Sequence, residues 1–502
     1  MFEKIKNMFK IGGAKIGMVD TLERIVDHPR ISVNPNEYKR IAENKSIYKG
    51  SYPNVTYLNS EGLEQTRSYS SLNVSKVVAR KLAKLVFNDG CTIGVDNDKA
   101  DEFLKSVFTS NKFRKNFGEE LEAGYAIGGL VLRPYVDTNS NTIKIAYCRA
   151  DTFYPLESNT NDIGEAAIAT VTQQTEGKKT IYYTLLEFHE WINGQYYIKN
   201  ELYMSEDADR VGVRVSLATL EKYKNLSESV LMKGFSRPLF IYIKLAGKNN
   251  IDVDSPLSLS VIDNAKTQNK DINDKYDMFM WEIEESKRKI IASDHFFKTK
   301  YNSNGKPIQR FDTKTSVYQS LKSDDPYIDE FSPSLRSSEF IESINFILRI
   351  IEIQTGFSSG TFTFDGKGIS TEKSATEIIS ENSETFATRS DNVLIVEEAL
   401  KELVTTIFEL AASYNLFNSN KQFGINIDFD DGVFQSQDAK ADYYSKLVTS
   451  ELTSKLRAIQ KVTGATEAEA IKIRAEILAE KMDDDYPEYE TKKIEEEIGT
   501  EE

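Results

Sequence analysis

Residues 340–351 read FIESINFILRII, a segment that is apolar on nearly every face of a helix. It is too short and too charged to span a bilayer, and a helix that is apolar all round must be surrounded by protein. The loop at residues 356–368, GFSSGTFTFDGKG, then carries four glycines and one lysine. Beyond it, residues 371–414 contain no glycine or proline, which predicts a helix far longer than the average of roughly a dozen residues. Helices of that length belong to coiled coils, membrane spans or assemblies, and an assembly is favoured here.

Several further stretches follow in order along the chain. They are MFEKIK at residues 1–6, GGAK at 12–15, DHP at 27–29, Glu37-Tyr38, NKF at 111–113, LEAGYAIGG at 121–129, YYTLLEFHEW at 182–191 and EIISENSET at 377–385. With the apolar helix, the glycine loop and the long helix, they make the chain resemble the portal proteins of tailed bacteriophages, of the siphophage type found in phages of Gram-positive bacteria. The resemblance covers nearly the whole chain. No single stretch is diagnostic, because portal proteins have no catalytic signature.

The resemblance implies an α+β, multidomain subunit of the portal type. Its expected parts are an α+β wing, paired stem helices, a small mixed clip, a tunnel loop, a long wing helix, a helical crown and an acidic tail. Their expected boundaries are 1–255 for the wing, 256–285 for the first stem helix, 286–334 for the clip, 335–355 for the second stem helix, 356–370 for the tunnel loop, 371–417 for the long helix, 418–481 for the crown and 482–502 for a disordered tail.

The composition bounds the class of protein. Hydrophobic residues make up 40% of the 502 residues, which is enough for packed cores and excludes wholesale disorder. The two cysteines, Cys91 and Cys148, are far apart, so a disulfide scaffold is not expected. No apolar run reaches the ~18 residues of a membrane span, and lysines interrupt the first ten residues, so no signal peptide is expected.

The net charge of −15 is unevenly distributed. Residues 482–502 contain ten acids and two lysines, a balance of −8, which leaves −7 for the other 481 residues. The acidic end is typical of a solvated tail. A tight nucleic-acid binder normally displays a basic face. Contact with DNA is still compatible with this charge, because a conduit must let DNA move and strong phosphate pairing would hold it.

The periodicity changes twice along the chain. Residues 75–135 read as mainly helical, with 74–87 and 100–121 the best segments, and residues 140–250 show the alternation of strands. From Pro256 the pattern returns to helix, with a 3-4 heptad stripe formed by Ile262, Ala265, Asn269, Ile272, Tyr276, Phe279 and Ile283. Two interpretations stay open for this stripe: a helix packed on its own domain, or a stem helix packed against neighbouring subunits.

The resemblance favours the stem interpretation. It implies that Ile262, Ile272 and Phe279 on the first stem helix, and Ile344 and Ile351 on the second, lie between subunits. Between the two helices, residues 289–292, 296–301 and 316–318 predict short strands, and Asn302-Ser303-Asn304-Gly305 predicts a turn. In the resembling family this insertion is the clip. Terminase or connector docking is therefore expected at Lys298, Lys300, Asn304 and Gly305.

After the long helix, residues 423–429 alternate as a half-buried strand. Helical patterns return at residues 439–449, 453–462 and 467–481. By the resemblance this region is the crown, facing the capsid interior.

Three local motifs could indicate catalysis or metal binding, and each lacks a required residue. His189-Glu190 has no second histidine at the helical spacing of a zinc protease. Gly366-Lys367 has neither the earlier glycine nor the following serine or threonine of a phosphate-binding loop. The segment DFDDG at 428–432 has glycine where a calcium loop needs an oxygen ligand. The sequence therefore predicts no enzyme, no metal and no cofactor.

The glycine loop has another possible role. Four glycines permit backbone conformations that other residues avoid, and the flanking helices fix where the loop emerges. In a ring, one such loop per subunit would line the central hole. The resemblance makes Ser358, Ser359, Thr361, Thr363 and Lys367 the candidates for weak, replaceable contacts with DNA phosphates, with Lys367 the foremost. An ordinary surface loop is the alternative.

The resemblance implies a non-enzymatic ring subunit at one capsid vertex, usually dodecameric, through which double-stranded DNA is packaged and later ejected. The expected partners are further copies of the chain, DNA contacted without sequence preference, the large terminase, the head-completion connector, and the major capsid and scaffolding proteins, with no membrane. The expected location is the virion, with the host cytoplasm during assembly. The alternatives are another virion structural protein, such as a tail or baseplate component, and a DNA-processing enzyme or its scaffold.

Overall fold

The computed structural model describes residues 21–58, 63–137, 140–159, 162–177, 179–286, 289–293, 298–301, 307–310, 318–321, 327–364, 381–418, 423–429, 437–463 and 467–484. Helices and strands are mixed in it, which confirms the α+β class. The chain divides into two compact units. The first consists of residues 1–86, 94–370 and 382–425, and the second of residues 87–93, 371–381 and 426–502.

The helices are numbered in chain order. They are α1 (Pro35–Lys49), α2 (Val74–Val86), α3 (Asp98–Ser110), α4 (Phe113–Ile127), α5 (Lys266–Glu285), α6 (Ser337–Gln354), α7 (Ser383–Ser413), α8 (Gln437–Thr449), α9 (Lys455–Thr463) and α10 (Glu467–Asp484). None of these described helices is both long and apolar enough to cross a membrane.

The strands are short except in one sheet. They are β1 (Thr21–Leu22), β2 (Val55–Leu58), β3 (Glu64–Arg67), β4 (Thr92–Val95), β5 (Leu130–Asp137), β6 (Thr142–Arg149), β7 (Phe153–Asn159), β8 (Asp162–Glu176), β9 (Lys179–Ile192), β10 (Gln195–Ser205), β11 (Gly212–Val215), β12 (Ser229–Met232), β13 (Ile241–Ile243), β14 (Lys289–Ser293), β15 (Lys298–Tyr301), β16 (Pro307–Arg310), β17 (Tyr318–Leu321), β18 (Ile328–Phe331) and β19 (Ile425–Asp428).

A seven-stranded antiparallel sheet forms the largest β structure of the first unit. Its order is β1-β11-β10-β9-β8-β7, with β12 paired to β10. Both faces of the sheet are covered, because side chains that alternate along β9 enter two different cores. Leu186 and Phe188 pack with Tyr203 on one face, whereas Tyr183 and Leu185 belong to the core on the other.

The long helix α7 is the centre of the helical part of the first unit. It packs against α2 and against β13 and β5 of the three-stranded sheet β13-β5-β6. Its buried face is an aliphatic stripe at helical spacing, as expected for a core helix. The stripe consists of Val396, Ala399, Leu400, Leu403, Val404, Ile407, Leu410 and Ala411.

The sequence predicted most of these elements but not all of their ends. One predicted segment, 100–121, is two helices separated at Asn111 and Lys112, and Lys112 has a φ of 48°, which breaks the helix. The predicted helix over 371–417 is described from Ser383 to Ser413, and residues 371–380 lie outside the described residues. Neither Cys91 nor Cys148 forms a disulfide.

The second unit contains three consecutive helices. Helix α9 packs against α8 and α10, and the helices begin and end within a few residues of the predicted segments. Helix α10 extends to Asp484, so the first residues of the predicted tail are helical, and residues 485–502 lie outside the described residues. Asp428, the first residue of the rejected calcium motif, ends β19 and forms an ion pair with Lys461.

Candidate functional site

The helices α5 and α6 form an antiparallel pair. The rings of Phe279 and Phe340 stack with centroids 5.1 Å apart, at the end of α5 and the beginning of α6. Beside them, the guanidinium of Arg336 donates to both carboxylate oxygens of Glu282, at 3.2 and 2.5 Å. These contacts join the two helices where the chain segment that connects them begins and ends.

The connecting segment contains two small sheets. Strand β14 lies between β17 and β18, parallel to the first and antiparallel to the second, and β15 and β16 form a separate antiparallel pair. The sequence predicted β14, β15 and β17 approximately and missed β16 and β18. Lys298 and Lys300 lie in β15, whereas Asn304 and Gly305 lie outside the described residues.

The predicted interface residues are mostly buried within the one chain. Ile262, Ile272 and Ile351 are completely buried and Ile344 is 4% exposed, so these four side chains offer no surface to a neighbouring subunit. This burial does not favour contacts of the four side chains with a neighbouring subunit, and their assignment to a subunit interface stays a prediction. The interpretation left open for the heptad stripe, packing within the chain's own domain, holds for its first half.

Other apolar residues of the helix pair are exposed instead. Met278 and Ile283 on α5 are 54% and 37% exposed. On α6, Ile341, Phe346 and Ile353 are 44%, 63% and 73% exposed. The apolar character of α6 therefore has two separate explanations. One side packs within the chain, and the remainder forms an uncovered apolar surface of the kind found at interaction sites.

Helix α5 is also fixed to the preceding part of the chain by charge. Arg67 forms two hydrogen bonds of 2.6 Å with Asp277, and the backbone amide of Ser70 donates to the same carboxylate. The hydrogen bonds from Arg67 lower the pKa of Asp277. A bidentate pair of this geometry defines the orientation of α5 relative to Arg67 more strictly than a single contact would.

The glycine loop begins at the end of α6. Gly356 has a φ of +73°, and a Cβ placed there would lie 2.3 Å from Oγ1 of Thr388. That hydroxyl donates a hydrogen bond of 2.6 Å to the carbonyl oxygen of Gly356. A glycine is thus needed at this helix end for two reasons, the left-handed backbone and the close approach of α7.

A buried carboxylate holds the next part of the loop. Glu352 is completely buried, and its two oxygens accept hydrogen bonds from the backbone amides of Gly360 at 2.8 Å and Phe362 at 2.5 Å. Two helical turns earlier on α6, Oδ1 of Asn345 accepts a hydrogen bond from the amide of Phe364 at 2.8 Å. A buried carboxylate is stable when donors of this kind satisfy its oxygens. The two side chains therefore fasten residues 360–364 to α6.

The same loop is fastened to α7 at Ser358. The amide of Ser358 donates to Oγ1 of Thr385 at 2.9 Å, and the amide of Thr385 donates to Oγ of Ser358 at 3.2 Å. Ser358 is only 5% exposed. Its hydroxyl is engaged within the chain, which does not favour a contact with DNA, and the assignment of Ser358 to the DNA surface stays a prediction.

The other loop candidates have different positions. Ser359 is exposed, and Thr361 and Thr363 are partly buried. The hydroxyl of Thr361 donates to the carbonyl oxygen of Ser358 at 2.6 Å, so it supports the loop. Lys367 lies outside the described residues.

The residues that hold the loop were not singled out from the sequence. Glu352 and Asn345 are polar residues inside an otherwise apolar helix, four and eleven positions before Gly356. A polar residue on the buried side of a helix must have a hydrogen-bond partner, and the nearby loop is rich in backbone amides. That was the available signal. Thr385 and Thr388 gave none, because threonine is common on helix surfaces.

His189 belongs to a buried ionic cluster. Its Nε2 lies 2.8 Å from Oε1 of Glu187, its Nδ1 contacts the hydroxyl of Tyr196, and Glu187 is paired with Arg133. Burial lowers the pKa of His189, which favours the neutral ring. Burial by itself would raise the pKa of Glu187, but Arg133 and His189 lower it to about 2. Among the described residues, no group of three or more His, Cys, Asp or Glu side chains is arranged to hold a metal ion.

Helix α5, the β insertion, helix α6 and the glycine loop follow one another in the chain. This stretch lies within a match to a known protein family. Residues 27–498 match the family described as phage portal protein, SPP1 Gp6-like. The chain belongs to this family. No curated protein matches it.

Membership of the portal family defines the general role of this chain. The portal protein is a structural component of the phage virion, at the capsid vertex through which the genome is packaged and where head and tail connect. The tail-component alternative has no support. The match covers the helix pair, the glycine loop and α7, which were the basis of the resemblance.

Proposed function

We propose that this portal protein functions as a closed ring, dodecameric as is usual in its family, in which the pair α5 and α6 lies along the tunnel. The observation that carries the proposal is the exposed apolar surface of the pair, formed by Met278, Ile283, Ile341, Phe346 and Ile353. A contact between two different surfaces of one subunit, repeated about an axis, closes a ring. Neighbouring subunits would cover this surface.

The glycine loop is the part of the chain that we assign to the tunnel lining. Residues 356–364 are held by Glu352, Asn345, Thr385 and Thr388, so the position where the loop leaves the helices is fixed. Of the predicted contact residues, Ser359 and Lys367 fit this role best. Their contacts with phosphates would be weak and replaceable, which allows double-stranded DNA to move without sequence-specific recognition.

The β insertion between α5 and α6 is the proposed docking site for other proteins. It extends from the end of the helix pair where Phe279 stacks on Phe340, on the far side from Gly356. As the clip, it would bind the large terminase during packaging and the head-completion connector afterwards. The sheet β17-β14-β18 and the hairpin β15-β16, with Lys298 and Lys300, would provide the contact surface.

The remaining parts have less specific assignments. The sheet and helices of residues 21–255 would form the wing, in contact with the major capsid and scaffolding proteins. The helices α8, α9 and α10 would form the crown inside the capsid. Assembly would take place in the host cytoplasm.

Electron microscopy of the purified protein, with its mass measured in solution, tests the ring. We expect rings with a central channel wide enough for duplex DNA, and twelve subunits. A closed ring with another number of subunits would correct the stoichiometry only. A compact oligomer without a channel would contradict the proposal. If the purified protein stays monomeric, the capsid vertex of assembled particles is imaged instead, and a ring must be found there.

A further inference from the structure

The charged residues on the solvent face of helix α2 are all basic, and the other exposed side chain of the helix is Val77. Lys76, Arg80, Lys81 and Lys84 are all exposed, and the helix contains no acidic residue. This is unusual in a chain whose acids outnumber its bases by 78 to 63. Like charges four residues apart destabilise a helix, so the face carries a cost unless an anion is present for part of the protein's working cycle.

None of these four cations forms an ion pair with another residue that the structure describes. Throughout the part of the chain that the structure describes, carboxylates form ion pairs with other lysines and arginines but with none of these four. The opposite side of α2 is firmly packed, because Val78, Leu82 and Val86 are buried against the first unit's core. The helix therefore cannot rotate to neutralise its basic face internally.

The spacing of the cations gives a continuous row that is inclined to the helix axis. Lys76, Arg80 and Lys84 follow one another at intervals of four residues, and with a rise of about 1.5 Å per residue the row is about 12 Å long. Over that distance the axis of B-DNA carries about seven phosphates, because there is one charge per ~1.7 Å. A rigid row of regularly spaced cations therefore complements the regularly spaced phosphates of a DNA duplex.

The row lies on a helix that adjoins the glycine loop. Nε of Arg389, near the start of α7, donates to the carbonyl oxygen of Leu85 at 2.8 Å. Leu82 lines a cavity of about 290 Å³ together with Gly356 and Thr388, which form the base of the loop. The basic helix and the loop base are thus parts of one packed structure.

We propose that Lys76, Arg80 and Lys84 form a binding site for the phosphates of double-stranded DNA, without sequence preference. DNA is favoured over an acidic protein surface because the row is regularly spaced on a firmly packed helix, and because the family's portal vertex passes DNA. Lys81 lies one position beside the row and adds to its local potential. Because the rest of the chain is acidic, the contact is local and reversible, which suits DNA that must slide.

Photo-crosslinking in DNA-filled particles tests the site directly. The photoreactive residue p-benzoylphenylalanine is introduced at position 80, and at position 39 as the control, since Lys39 is also exposed, on α1. We expect a several-fold larger yield of portal–DNA adduct at position 80 than at position 39. Equal yields at the two positions would overturn the proposal, as would an adduct at position 80 with a capsid protein in place of DNA.

A charge-neutral variant supplies the functional measurement. The triple variant Lys76→Gln, Arg80→Gln, Lys84→Gln is compared with Lys39→Gln, Lys99→Gln, Lys222→Gln, which removes the same charge from exposed sites elsewhere. We expect unchanged assembly and thermal unfolding of both variants, and altered DNA retention in filled particles only for the first. Equal retention in both would contradict the proposal.

The outcome is independent of the tunnel-loop assignment. The inference rests on the family's passage of DNA, and the variant Lys367→Ala is measured in the same particles. An effect of Lys367→Ala with none of the α2 triple variant would leave the loop assignment intact and remove the site on α2. An effect of the α2 triple variant with none of Lys367→Ala would leave the site on α2 intact and remove the loop assignment.

Discussion

The carboxylate of Glu352 accepts a hydrogen bond from the backbone amide of Gly360, 2.8 Å away and eight residues later in the chain. This contact turns the end of a helix into the support of the loop that follows it. Its strength comes from burial, because a completely buried carboxylate loses water and must be satisfied by the protein.

Replacing this carboxylate should loosen the loop while leaving the helix in place. In Glu352→Gln one oxygen becomes an NH₂ group, which cannot accept from a backbone amide, so at least one of the two hydrogen bonds is lost. A hydrogen bond to a buried charged group contributes about 1.5–3 kcal/mol. We expect faster hydrogen exchange of the amides of residues 358–364 in the assembled ring. The variant Glu342→Gln, at an exposed position of the same helix, is the control and should exchange like the wild type.

Two residues on α6 should separate folding from ring assembly. Ile344 is 4% exposed and Phe346 is 63% exposed, although they are two residues apart. Ile344→Asp buries an unpaired charge and should destabilise the fold by more than about 4 kcal/mol. Phe346→Asp should change the free energy of unfolding by less than about 0.5 kcal/mol, as at most surface sites, and prevent ring closure.

Denaturant unfolding and mass in solution, measured on both variants, check this pair. Rings formed normally by Phe346→Asp would show that this part of α6 is not a subunit contact. A fully folded Ile344→Asp would contradict the burial of Ile344 on the packed side of α6.

The tunnel loop has its own test at Lys367. Lys367→Ala removes the one cation of the loop, and we expect intact rings with altered DNA packaging or retention, because a positive contact with the phosphates is lost. The measurement is the amount of DNA retained per particle, with Lys39→Ala as the control. Normal packaging and retention would remove Lys367 from the tunnel surface.

The buried ionic cluster predicts how stability changes with pH. The folded-state pKa of Glu187 is about 2, below its ordinary value of 4.5, so its stabilising contribution is complete above pH 4.5 and is lost as the pH falls towards 2. The pKa of His189 is also lowered from its ordinary value of 6.5, so stability is also lost as the pH falls below 6.5, where the unfolded chain takes up a proton that the buried ring does not. Both effects favour acid unfolding.

Urea unfolding between pH 7 and pH 3 measures this dependence. Between pH 7 and pH 3 the lost Glu187 contribution is on the order of 2 kcal/mol, because the acidification stops before the folded-state pKa of about 2 is reached. Glu187→Gln should be less stable at pH 7 and should show a flatter pH profile, whereas the exposed Glu228→Gln should follow the wild type. A Glu187→Gln profile as steep as that of the wild type would indicate that other groups determine acid unfolding.

The sequence was most informative where a single physical rule applies. The absence of glycine and proline predicted α7, and alternation predicted β9 and β10, because local periodicity reports which side of an element is apolar. It does not report what covers that side. The stripe through Ile262 and Ile272 was therefore assigned to neighbouring subunits, although the chain itself buries it.

The loop shows a second limit. Its glycines predicted an irregular backbone, but Ser358 and Thr385 are 27 residues apart, and their pairing depends on how α6 and α7 pack. Polar residues that support a loop from a distance resemble ordinary helix residues in the sequence. The break at Lys112 was missed for a related reason: a lysine with a positive φ has no composition signal.

The exposed apolar side chains of α5 and α6 also bear on how the free subunit behaves before it meets its neighbours. A surface of this kind can adhere to any other apolar surface, so ring closure competes with aggregation, and both accelerate as the subunit becomes more concentrated. Hydrophobic association weakens on cooling. Slow synthesis at low temperature should therefore increase the yield of rings relative to aggregates.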